Sequence, residues 1–321
     1  MNTSEKYIKY FDILQAKKAY TNGENITEVL RSQKKIGYNT SEIIETAYDL
    51  QAGSYIEYAI KNPSFVNSYA SQLATILDNH VSSKKSLLDI GTGELTTLSF
   101  TVKNLINKPK NIYAFDISWS RISKGLDFAK KNMGKDFLNL KPFVSDIKEV
   151  PLLSKSIDIT TSSHALEPNR NNLHQLMLEL FRITADKLIL FEPCYEINSD
   201  EGKKRMDKLG YIKNIDGVVK ELNGKLLEKI VIKNPSNPLN PTVCFIISPP
   251  QSKDVFEFDN LDKENIFSVP GTNFEINKVD NFYHSDATGL CFPILKSIPI
   301  LKSGSAILAS CFSELTTTSD Q

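Results

Sequence analysis

The sequence predicts an α/β fold in which a seven-stranded, mostly parallel sheet follows an N-terminal helical cap and precedes a small C-terminal β-rich module. Three observations support this prediction. Residues 1–83 carry apolar side chains at helical spacing, residues 84–250 alternate short apolar segments with amphipathic ones, and residues 255–321 are acidic and follow a Pro-rich stretch. Alternating strands and helices are typical of βαβ units, which build parallel sheets.

The helical cap is predicted from periodicity. Apolar residues recur mostly at helical steps, at Leu30, Ile43, Ile44, Tyr48, Ile56 and Ile60. Asn62-Pro63 then interrupts the pattern, because the residue before a proline disfavours helical backbone. A second helical run extends from Phe65 to Leu77.

Short apolar segments predict the strands. Five are expected to be parallel, namely Ser86–Ile90, Asn111–Phe115, Leu140–Val144, Ile157–Ser162 and Leu188–Phe191. Two more, Lys229–Ile232 and Val243–Ile247, flank NPSNPLNP, which is too short and broken for a helix, so they should pair antiparallel at the sheet edge. In the C-terminal module, strands are predicted around Asn281–His284 and Leu290–Leu295.

Composition and charge exclude several classes of protein. With 40% hydrophobic and 24% charged residues the chain is neither disordered nor fibrous, and its apolar runs are far shorter than a membrane span. Lys+Arg and Asp+Glu balance at 38 each, so nothing recruits nucleic acid or a membrane surface. From residue 251 onward, however, five Lys stand against ten acidic residues. This opposite charge would suit packing against the first 250 residues or against a second copy in a homodimer.

Cysteine spacing and the N-terminal sequence are used to predict the cellular compartment. The cysteines Cys194, Cys244, Cys291 and Cys311 form no CxxC pair and are predicted to be reduced core residues. The N-terminus has no apolar run typical of a signal peptide, so the chain is expected to be cytoplasmic.

The strongest local motif is LLDIGTGELTT at residues 87–97. An apolar strand runs into Asp89, and Gly91 and Gly93 allow a sharp turn around Thr92 that lets the backbone approach a ligand closely. A plain strand-to-helix turn is the alternative for this segment alone.

Two further acidic residues follow predicted strands. Asp116, in YAFDIS, stands 25 residues beyond Gly91, where a carboxylate can bind both hydroxyls of a ribose. Asp146, in FVSDIKEVP, stands where an adenine amino group would lie. Each acid alone favours a surface or capping role, but at the carboxyl ends of successive strands they together indicate a nucleoside-type site.

These motifs, followed by DITTSSHALEP and LILFEPCYE, resemble the ordered motifs of class I S-adenosylmethionine-dependent methyltransferases over roughly residues 84–250. The resemblance implies a Rossmann-like sheet with an antiparallel final hairpin, and S-adenosylmethionine as cofactor. The cofactor-binding residues that it implies are Tyr55, Asp89, Gly91, Thr92, Gly93, Asp116, Ile117, Asp146, Ile147 and Ser163. Leu95 departs from the family, which has its third glycine there.

The cap segment YDLQAGSYIEY offers Gln51, Ser54 and Tyr55 as residues that would close over the cofactor. Tyr55 and Tyr58 are three residues apart on a helical pattern, so packing into the core is the alternative.

His164 and Glu167 are the predicted catalytic residues, because the resemblance places the methyl acceptor after the fourth strand. Methyl transfer needs an aligned nucleophile and a base for its proton, which suits a histidine that Glu167 orients. The alternative is that His164 bonds a backbone carbonyl and Glu167 caps the next helix. Glu192 is a further candidate at the same sheet edge, and His174 is expected on a solvated helix face.

The C-terminal stretch resembles the small zinc-ribbon-derived activator subunit of tRNA and protein methyltransferases. The matching segments are Gly289-Leu290, Phe292-Pro293-Ile294 and Ile298-Pro299-Ile300-Leu301. Positions expected to hold metal thiolates fall on Val269 and Thr272, so this copy should fold without metal. The resemblance implies a module that supports a partner methyltransferase or its solubility. Because this module is fused to the rest of the chain, we expect a role in shaping the acceptor site or in dimerisation.

The sequence therefore predicts a methyltransferase that acts on oxygen or nitrogen of a small polar acceptor, with a sugar or glycan precursor favoured. The basis is a polar and not aromatic set of side chains after the fourth strand, namely Ser162, Ser163, His164, Glu167, Asn169 and Asn171. Alternatives are a peptide or protein acceptor and a non-catalytic module that binds the cofactor or a partner. A nicotinamide-dependent dehydrogenase is disfavoured, because GTGEL lacks the small third residue that a dinucleotide needs. The asparagines of NPSNPLNP would line an acceptor pocket, although a rigid hairpin connection is favoured.

Overall fold

The computed structural model describes residues 11–83, 85–235, 237–250 and 264–312. The N-terminal residues used for the signal-peptide prediction therefore lie mostly outside it, as do residues 251–263 of the acidic segment. No helix in these described ranges is long and apolar enough to cross a bilayer.

Five helices form the cap, and side chains at their first turns explain where they begin. The helices are α1 Ile13–Thr21, α2 Ile26–Lys34, α3 Ser41–Leu50, α4 Ser54–Lys61 and α5 Pro63–Leu77. Side-chain oxygens of Asp12, Asn25 and Thr40 accept hydrogen bonds from first-turn amides of α1, α2 and α3. The predicted interruption at Asn62-Pro63 is where α4 ends and α5 begins.

The central sheet has the predicted seven strands. They are β1 Ser86–Ile90, β2 Asn111–Asp116, β3 Leu140–Val144, β4 Ile157–Ser163, β5 Thr184–Pro193, β6 Lys225–Val231 and β7 Thr242–Ser248. Their order is β3-β2-β1-β4-β5-β7-β6, and β7 runs antiparallel to both of its neighbours. This strand order defines a Rossmann-like α/β sheet with an antiparallel final hairpin, as predicted.

Strand β5 is longer than predicted, ten residues from Thr184 to Pro193 instead of Leu188–Phe191. It begins with the buried but polar Thr184, and Asp186 and Lys187 are charged and partly exposed, so hydrophobicity alone does not reveal this part of the strand. The Thr184 hydroxyl donates to Thr160 Oγ1 of β4 at 2.7 Å, and this bond satisfies a buried polar group at the beginning of the strand.

The connecting helices are α6 Thr96–Asn104, α7 Trp119–Met133, α8 Leu173–Ile183, α9 Asp200–Leu209 and α10 Ile215–Glu221. Strand order reverses between β1 and β4, which are parallel neighbours in the sheet. In open α/β sheets such a reversal opens a crevice beyond the carboxyl ends of the strands. The sheet topology therefore places a crevice where the predicted site residues follow β1, β2, β3 and β4.

The C-terminal module is an antiparallel β-structure. It comprises β8 Asn277–Val279, β9 Phe282–Ser285, β10 Leu290–Leu295, β11 Ile298–Pro299 and β12 Ile307–Leu308. The strands β11-β10-β9-β8 are neighbours in that order, and β12 pairs with β10. The strand predicted at Leu290–Leu295 has those bounds, whereas the other predicted strand lies one residue later.

The module packs directly onto the β3 edge of the central sheet. The Leu301 amide donates to Val144 O at 2.8 Å, next to a parallel bridge between Ile300 and Val144. Side chains of Phe292 and Leu301 belong to the same hydrophobic cluster as Phe143 of β3. One continuous core therefore joins the module to the sheet.

The module also contacts the cap and helix α7. The Lys302 ammonium donates to Glu45 Oε1 of α3 at 2.5 Å, and Trp119 Nε1 of α7 donates to Leu295 O at 3.3 Å. These contacts connect the module, the cap and the β2–α7 region around the sheet edge.

The cysteines differ in burial. Cys194, Cys244 and Cys291 are buried thiols, but Cys311 is exposed, so the prediction of a core position is wrong for Cys311. It lies in the terminal turn after β12, beyond the residues that pack on the sheet. Within the described ranges no group of His, Cys, Asp and Glu side chains is arranged to hold a metal ion.

Candidate active site

A cavity of about 390 Å³ opens at the carboxyl edge of the sheet, beneath the cap. All twelve predicted site residues line it, namely Tyr55, Asp89, Gly91, Thr92, Gly93, Asp116, Ile117, Asp146, Ile147, Ser163, His164 and Glu167. Residues distant in sequence meet there because parallel strands end at one edge.

The glycine turn after β1 is tightly packed. Gly91 and Gly93 have φ of 61° and 57°, in the left-handed region that glycine adopts without strain. A Cβ on Gly91 would lie 2.4 Å from Ala165 Cβ, so a side chain there would collide with the segment after β4. Leu95 also has a positive φ, of 58°, although it is not glycine, and its side chain is fully buried.

Asp116 connects the turns after β1 and β2. Its Oδ2 accepts from the Gly93 amide at 3.0 Å, and its Oδ1 accepts from the Ser118 amide at 2.9 Å. Asp146 likewise accepts from the Lys148 amide at 3.0 Å. Asp116 and Asp146 therefore both accept hydrogen bonds from backbone amides of their own turns, as in a capping role, and both also line the cavity.

Asp89 ends the same edge of the sheet and is almost fully buried. Burial raises its pKa to about 7, and the nearby Asp116 carboxylate acts in the same direction. A cationic ligand beside Asp89 would therefore lower this pKa and stabilise the charged carboxylate.

Sequence reasoning missed Arg121, a buried arginine in the first turn of α7. Its guanidinium lies 3.7 Å from Asp116 Oδ2 and 3.9 Å from Glu94 Oε1. It also stacks 4.7 Å from the ring centre of Tyr55 and 5.0 Å from that of Tyr48. A positive charge in the first turn of a helix is unfavourable because of the helix dipole. The position of Arg121 at the start of a predicted helix could therefore have indicated that it needs acidic partners.

Glu94, also missed, fastens the cap to the sheet. Its Oε2 accepts from the Ile56 amide at 2.9 Å, in the first turn of α4, where free amides favour a carboxylate. Because Glu94 also neighbours Arg121, the turn after β1 and the cap share one buried ionic group.

The cap supplies an aromatic wall to the cavity. The aromatic lining residues from the cap are Tyr48, Tyr55, Tyr58, Phe65 and Tyr69. Of the predicted closing residues, Tyr55 lines the cavity, but Gln51 and Ser54 do not. Gln51 instead ends α3 and Ser54 begins α4, so their main role is in the connection between these helices. The half-exposed rings of Tyr55 and Tyr58 are not core residues.

His164 and Glu167 form a hydrogen-bonded pair at the other end of the cavity. Glu167 Oε1 contacts His164 Nδ1, and Thr242 Oγ1 lies 2.9 Å from His164 Nε2. Asn240 Nδ2 donates to the same Glu167 oxygen at 3.0 Å. The His164 ring therefore bonds side chains and not a backbone carbonyl, and the Glu167 carboxylate orients it.

The charge state of His164 reflects competing influences. Burial lowers its pKa, but the Glu167 carboxylate, its hydrogen bond and the more distant Glu192 carboxylate together raise the pKa above its ordinary value. His164 also has φ of 59°, a strained conformation for a histidine that places its ring over the cavity.

Glu192 lies behind the His164–Glu167 pair and not in the cavity wall. Its Oε1 accepts from Ser162 Oγ at 2.7 Å and from the Ala165 and Leu166 amides at 3.0 and 3.2 Å. Burial raises its pKa to about 7. Glu192 thus holds the turn that carries His164, which makes it a positioning residue.

Only four of the six polar residues used to predict the acceptor line the cavity. Ser163, His164, Glu167 and Asn169 line the cavity, whereas Ser162 faces Glu192 and Asn171 is exposed. His174 is exposed on α8, as predicted. The cap, a distant part of the chain, adds five aromatic rings, so the polar set after β4 describes only part of the cavity wall.

Residues outside the predicted set complete this end of the cavity. Arg205 reaches it from α9, and Asn237 and Asn240 reach it from the NPSNPLNP loop. The loop is therefore more than the hairpin connection that the sequence favoured. The Asn-rich composition of the loop offers its asparagines for an acceptor pocket, whereas no spacing pattern marks Arg205, which meets the site only through the path of the chain.

Comparisons with known proteins concern the fold. No family model matches the chain, and no curated protein matches it. A SAM-dependent methyltransferase from Aquifex aeolicus is 14% identical, with a TM-score of 0.44 over 61% of this chain and 98% of its own. A chain from the complex between the Haloferax volcanii Trm112 methyltransferase activator and a methyltransferase is 13% identical, with a TM-score of 0.48 over 62% and 96%.

Magnesium protoporphyrin IX methyltransferase from Synechocystis is 12% identical, with a TM-score of 0.44 over 73% of this chain and all of its own. The strand order of the present chain defines its fold class independently of these similarities.

Proposed function

We propose that this protein is an S-adenosylmethionine-dependent methyltransferase. The observation that carries the proposal is the convergence on one cavity of a glycine turn, three strand-end carboxylates and a histidine–glutamate pair. The carboxylates suit a cofactor that has an ammonium group and a nucleoside, and the pair suits proton removal from an acceptor.

The residues present fit this cofactor. Asp89 would face the ammonium group of the methionine portion, Asp116 the ribose hydroxyls and Asp146 the adenine amino group. Ile117 and Ile147 line the cavity beside the two latter acids and offer apolar contact to a planar base.

The glycine turn supports the fit as well. Thr92 lies in this turn and lines the cavity, and its hydroxyl interacts with the Asp89 carboxyl that an ammonium group of the cofactor would contact.

The cofactor supplies an electrophilic methyl group when it is bound. Glu167 holds His164 Nδ1, which leaves Nε2 as the atom that accepts a proton. Since Thr242 Oγ1 occupies the hydrogen-bonding position of Nε2, an acceptor hydroxyl or amine would replace it or transfer its proton through it. We therefore propose an oxygen or nitrogen acceptor, because methylation of either releases a proton.

Titration calorimetry of the full chain with S-adenosylhomocysteine tests the cofactor assignment. We expect binding by the wild type and at least tenfold weaker binding by Asp116→Asn. This variant keeps one oxygen for the Ser118 amide, so its turn is less disturbed than that of an alanine variant. Asp186→Asn is the matched control, because Asp186 lies near the beginning of β5 and pairs with Lys85.

Two outcomes would separate the alternatives. Absence of binding by the wild type rejects both an enzyme and a cofactor-holding module. Binding without cofactor consumption, across small polar and peptide acceptors, favours the non-catalytic module.

For the C-terminal module we propose an activator-like role in which it positions the cofactor site. Leu301 bonds the backbone of Val144, which ends β3 immediately before the cavity-lining Ser145, Asp146 and Ile147. Docking of the module therefore restrains the turn that carries the proposed adenine-binding residues.

A further inference from the structure

Arg205 is a cation at the acceptor end of the cavity without an ionic partner in the described residues. It projects from α9 and lines the cavity, and its Nη1 is buried without a hydrogen bond. No carboxylate oxygen of the described ranges lies within 4.0 Å of its guanidinium, since the ion pairs of this region involve other cations. A buried guanidinium nitrogen left in this state is costly.

The other cations of the cavity have ionic partners, although Arg121 Nε is also buried without a hydrogen bond among the described residues. Arg121 lies between the carboxylates of Asp116 and Glu94, and His164 pairs with Glu167. Arg205 is therefore the cavity cation most available to an anionic ligand.

The guanidinium of Arg205 is also held in place. Its Cζ lies 5.5 Å from the ring centre of Tyr211, a stacking distance for an arginine and an aromatic ring. Burial and the neighbouring Glu167 carboxylate raise the pKa of Tyr211 against the opposing effect of Arg205, which hydrogen-bonds the Tyr211 hydroxyl. This hydroxyl therefore stays neutral, holds the guanidinium in place and adds no competing anion. A planar, preorganised guanidinium suits bidentate pairing with a carboxylate or phosphate.

Asn240 supplies the complementary acceptor. Its Nδ2 donates to Glu167 Oε1, which fixes the orientation of the amide because a carboxylate oxygen accepts only from the NH₂ end. Its Oδ1 is then left buried without a hydrogen bond among the described residues. This oxygen is available to an O–H or N–H group of a ligand.

We propose that the methyl acceptor is an anion, with a carboxylate or phosphate that pairs with Arg205 and an O–H or N–H group that donates to Asn240 Oδ1. The proposal rests on the methyltransferase function and specifies the substrate class of the same site. It replaces a neutral sugar with an acidic hydroxy or amino compound. The aromatic wall, including Phe65 and Tyr69, would contact the rest of such a molecule.

Calorimetry with matched probes tests the proposal on the full chain, with and without S-adenosylhomocysteine. The probes are 4-hydroxybenzoate against 4-hydroxybenzamide, and 4-hydroxyphenyl phosphate against hydroquinone. We expect at least one anion to bind tenfold or more tightly than its neutral counterpart, and the tighter anion distinguishes carboxylate from phosphate. Equal affinities, or failure of both anions to bind at millimolar concentration, would overturn it.

Variants assign the preference to Arg205. We expect Arg205→Gln to abolish the preference for the anion and Arg205→Lys to retain part of it. Lys204→Gln is the matched control, because it removes one positive charge from an exposed position of the same helix. An Arg205→Gln variant that keeps the full preference would contradict the proposal.

The same titrations keep this proposal separate from the methyltransferase function. If the wild type prefers the anion but does not bind S-adenosylhomocysteine, the proposed methyltransferase function is contradicted and an anion-binding site at Arg205 remains. A wild type that binds S-adenosylhomocysteine but not the anions defeats only the substrate class. The wild-type comparison stands even if the Arg205 variants fail to fold.

Discussion

His164 shows how one residue combines strain, charge and position. Its left-handed backbone is costly for a histidine and is held by neighbouring bonds, among them its amide to Phe191 O at 3.0 Å and the Glu192 contacts to the next two amides. Such strain is retained where the site requires the side chain in one place.

We expect Glu167→Gln to lower the pKa of His164. The carboxylate favours the imidazolium form, so its removal leaves burial, which lowers the pKa, opposed only by the more distant Glu192. The chain has four histidines, which makes an NMR titration of the imidazole signals practical. An unchanged or higher midpoint in the variant would show that Glu167 does not control the charge of His164.

We expect His164→Asn to lower methyl-transfer turnover by about 10²-fold or more, the usual scale for loss of a general base. Asparagine tolerates the left-handed backbone, so the variant tests the imidazole more cleanly than alanine does. Affinity for S-adenosylhomocysteine should be nearly unchanged in calorimetry. Equal turnover would indicate that alignment of the acceptor suffices.

Gly91 is the residue at which a single methyl group should disrupt the cofactor turn. We expect Gly91→Ala to lower the free energy of unfolding by about 2–5 kcal/mol, through left-handed strain and collision with Ala165. In the double variant with Ala165→Gly only the collision is relieved, so part of the loss should return. Urea denaturation measures both, and a fully additive pair would contradict the contact.

At the scale of elements, apolar packing and not the ion pair should hold the C-terminal module on β3. Leu301 is fully buried, whereas the Lys302–Glu45 pair is partly exposed, with side chains 16% and 38% accessible. We expect Leu301→Ala to cost about 2–5 kcal/mol of unfolding free energy and Lys302→Gln less than about 1 kcal/mol.

The Leu301 variant also tests the proposed role of the module. If docking restrains the turn with Asp146, Leu301→Ala should bind S-adenosylhomocysteine more weakly than Lys302→Gln does, under conditions where both remain folded. Identical affinities would remove the proposed link between the module and the cofactor site.

The cap is attached to the sheet by polar contacts from several elements. Glu94 accepts from an α4 amide, Asp49 of α3 accepts from Ser118 Oγ at 2.8 Å, and Lys124 of α7 donates to Ala52 O at 2.5 Å. On the cap side these contacts reach α3, α4 and the turn between them, so they position the part of the aromatic wall that these two helices carry.

At the scale of the whole molecule, buried acids should make stability depend on pH. The folded chain keeps protons on Asp89 and Glu192 up to about pH 7, whereas the unfolded chain releases them near their ordinary values of 3.8 and 4.5. Between these limits the unfolded state binds fewer protons, so the free energy of unfolding falls as pH rises.

Urea denaturation from pH 4 to pH 8 measures this dependence. We expect Glu192→Gln to remove the contribution of this residue to the pH dependence. The free energy of unfolding should then fall less steeply with rising pH than in the wild type. A variant with the same slope as the wild type would show that Glu192 is ionised in the folded chain across this range.

The predictions from sequence succeeded where the signal was local. The glycine turn, the strand-end positions of Asp116 and Asp146 and the strand at Leu290–Leu295 each follow from a short pattern with a physical meaning. They failed where a role depends on distant contacts. Glu94 looks like an ordinary loop residue until α4 presents its amides, and Cys311 looks like the other cysteines until the path after β12 is known.

The sequence by itself determined the sheet, its strands and the strand-end acids, because hydrophobic periodicity and glycine turns act within a few residues. Only the tertiary structure decided which surfaces meet across the cavity. It brought the cap's aromatic rings and Arg121 to those acids, it brought Arg205 to the other end of the cavity, and it joined the module to β3 through a shared core. These contacts and the pKa of His164 depend on burial and on charge pairing between distant segments. A pattern of neighbouring residues in the sequence does not reveal either of them.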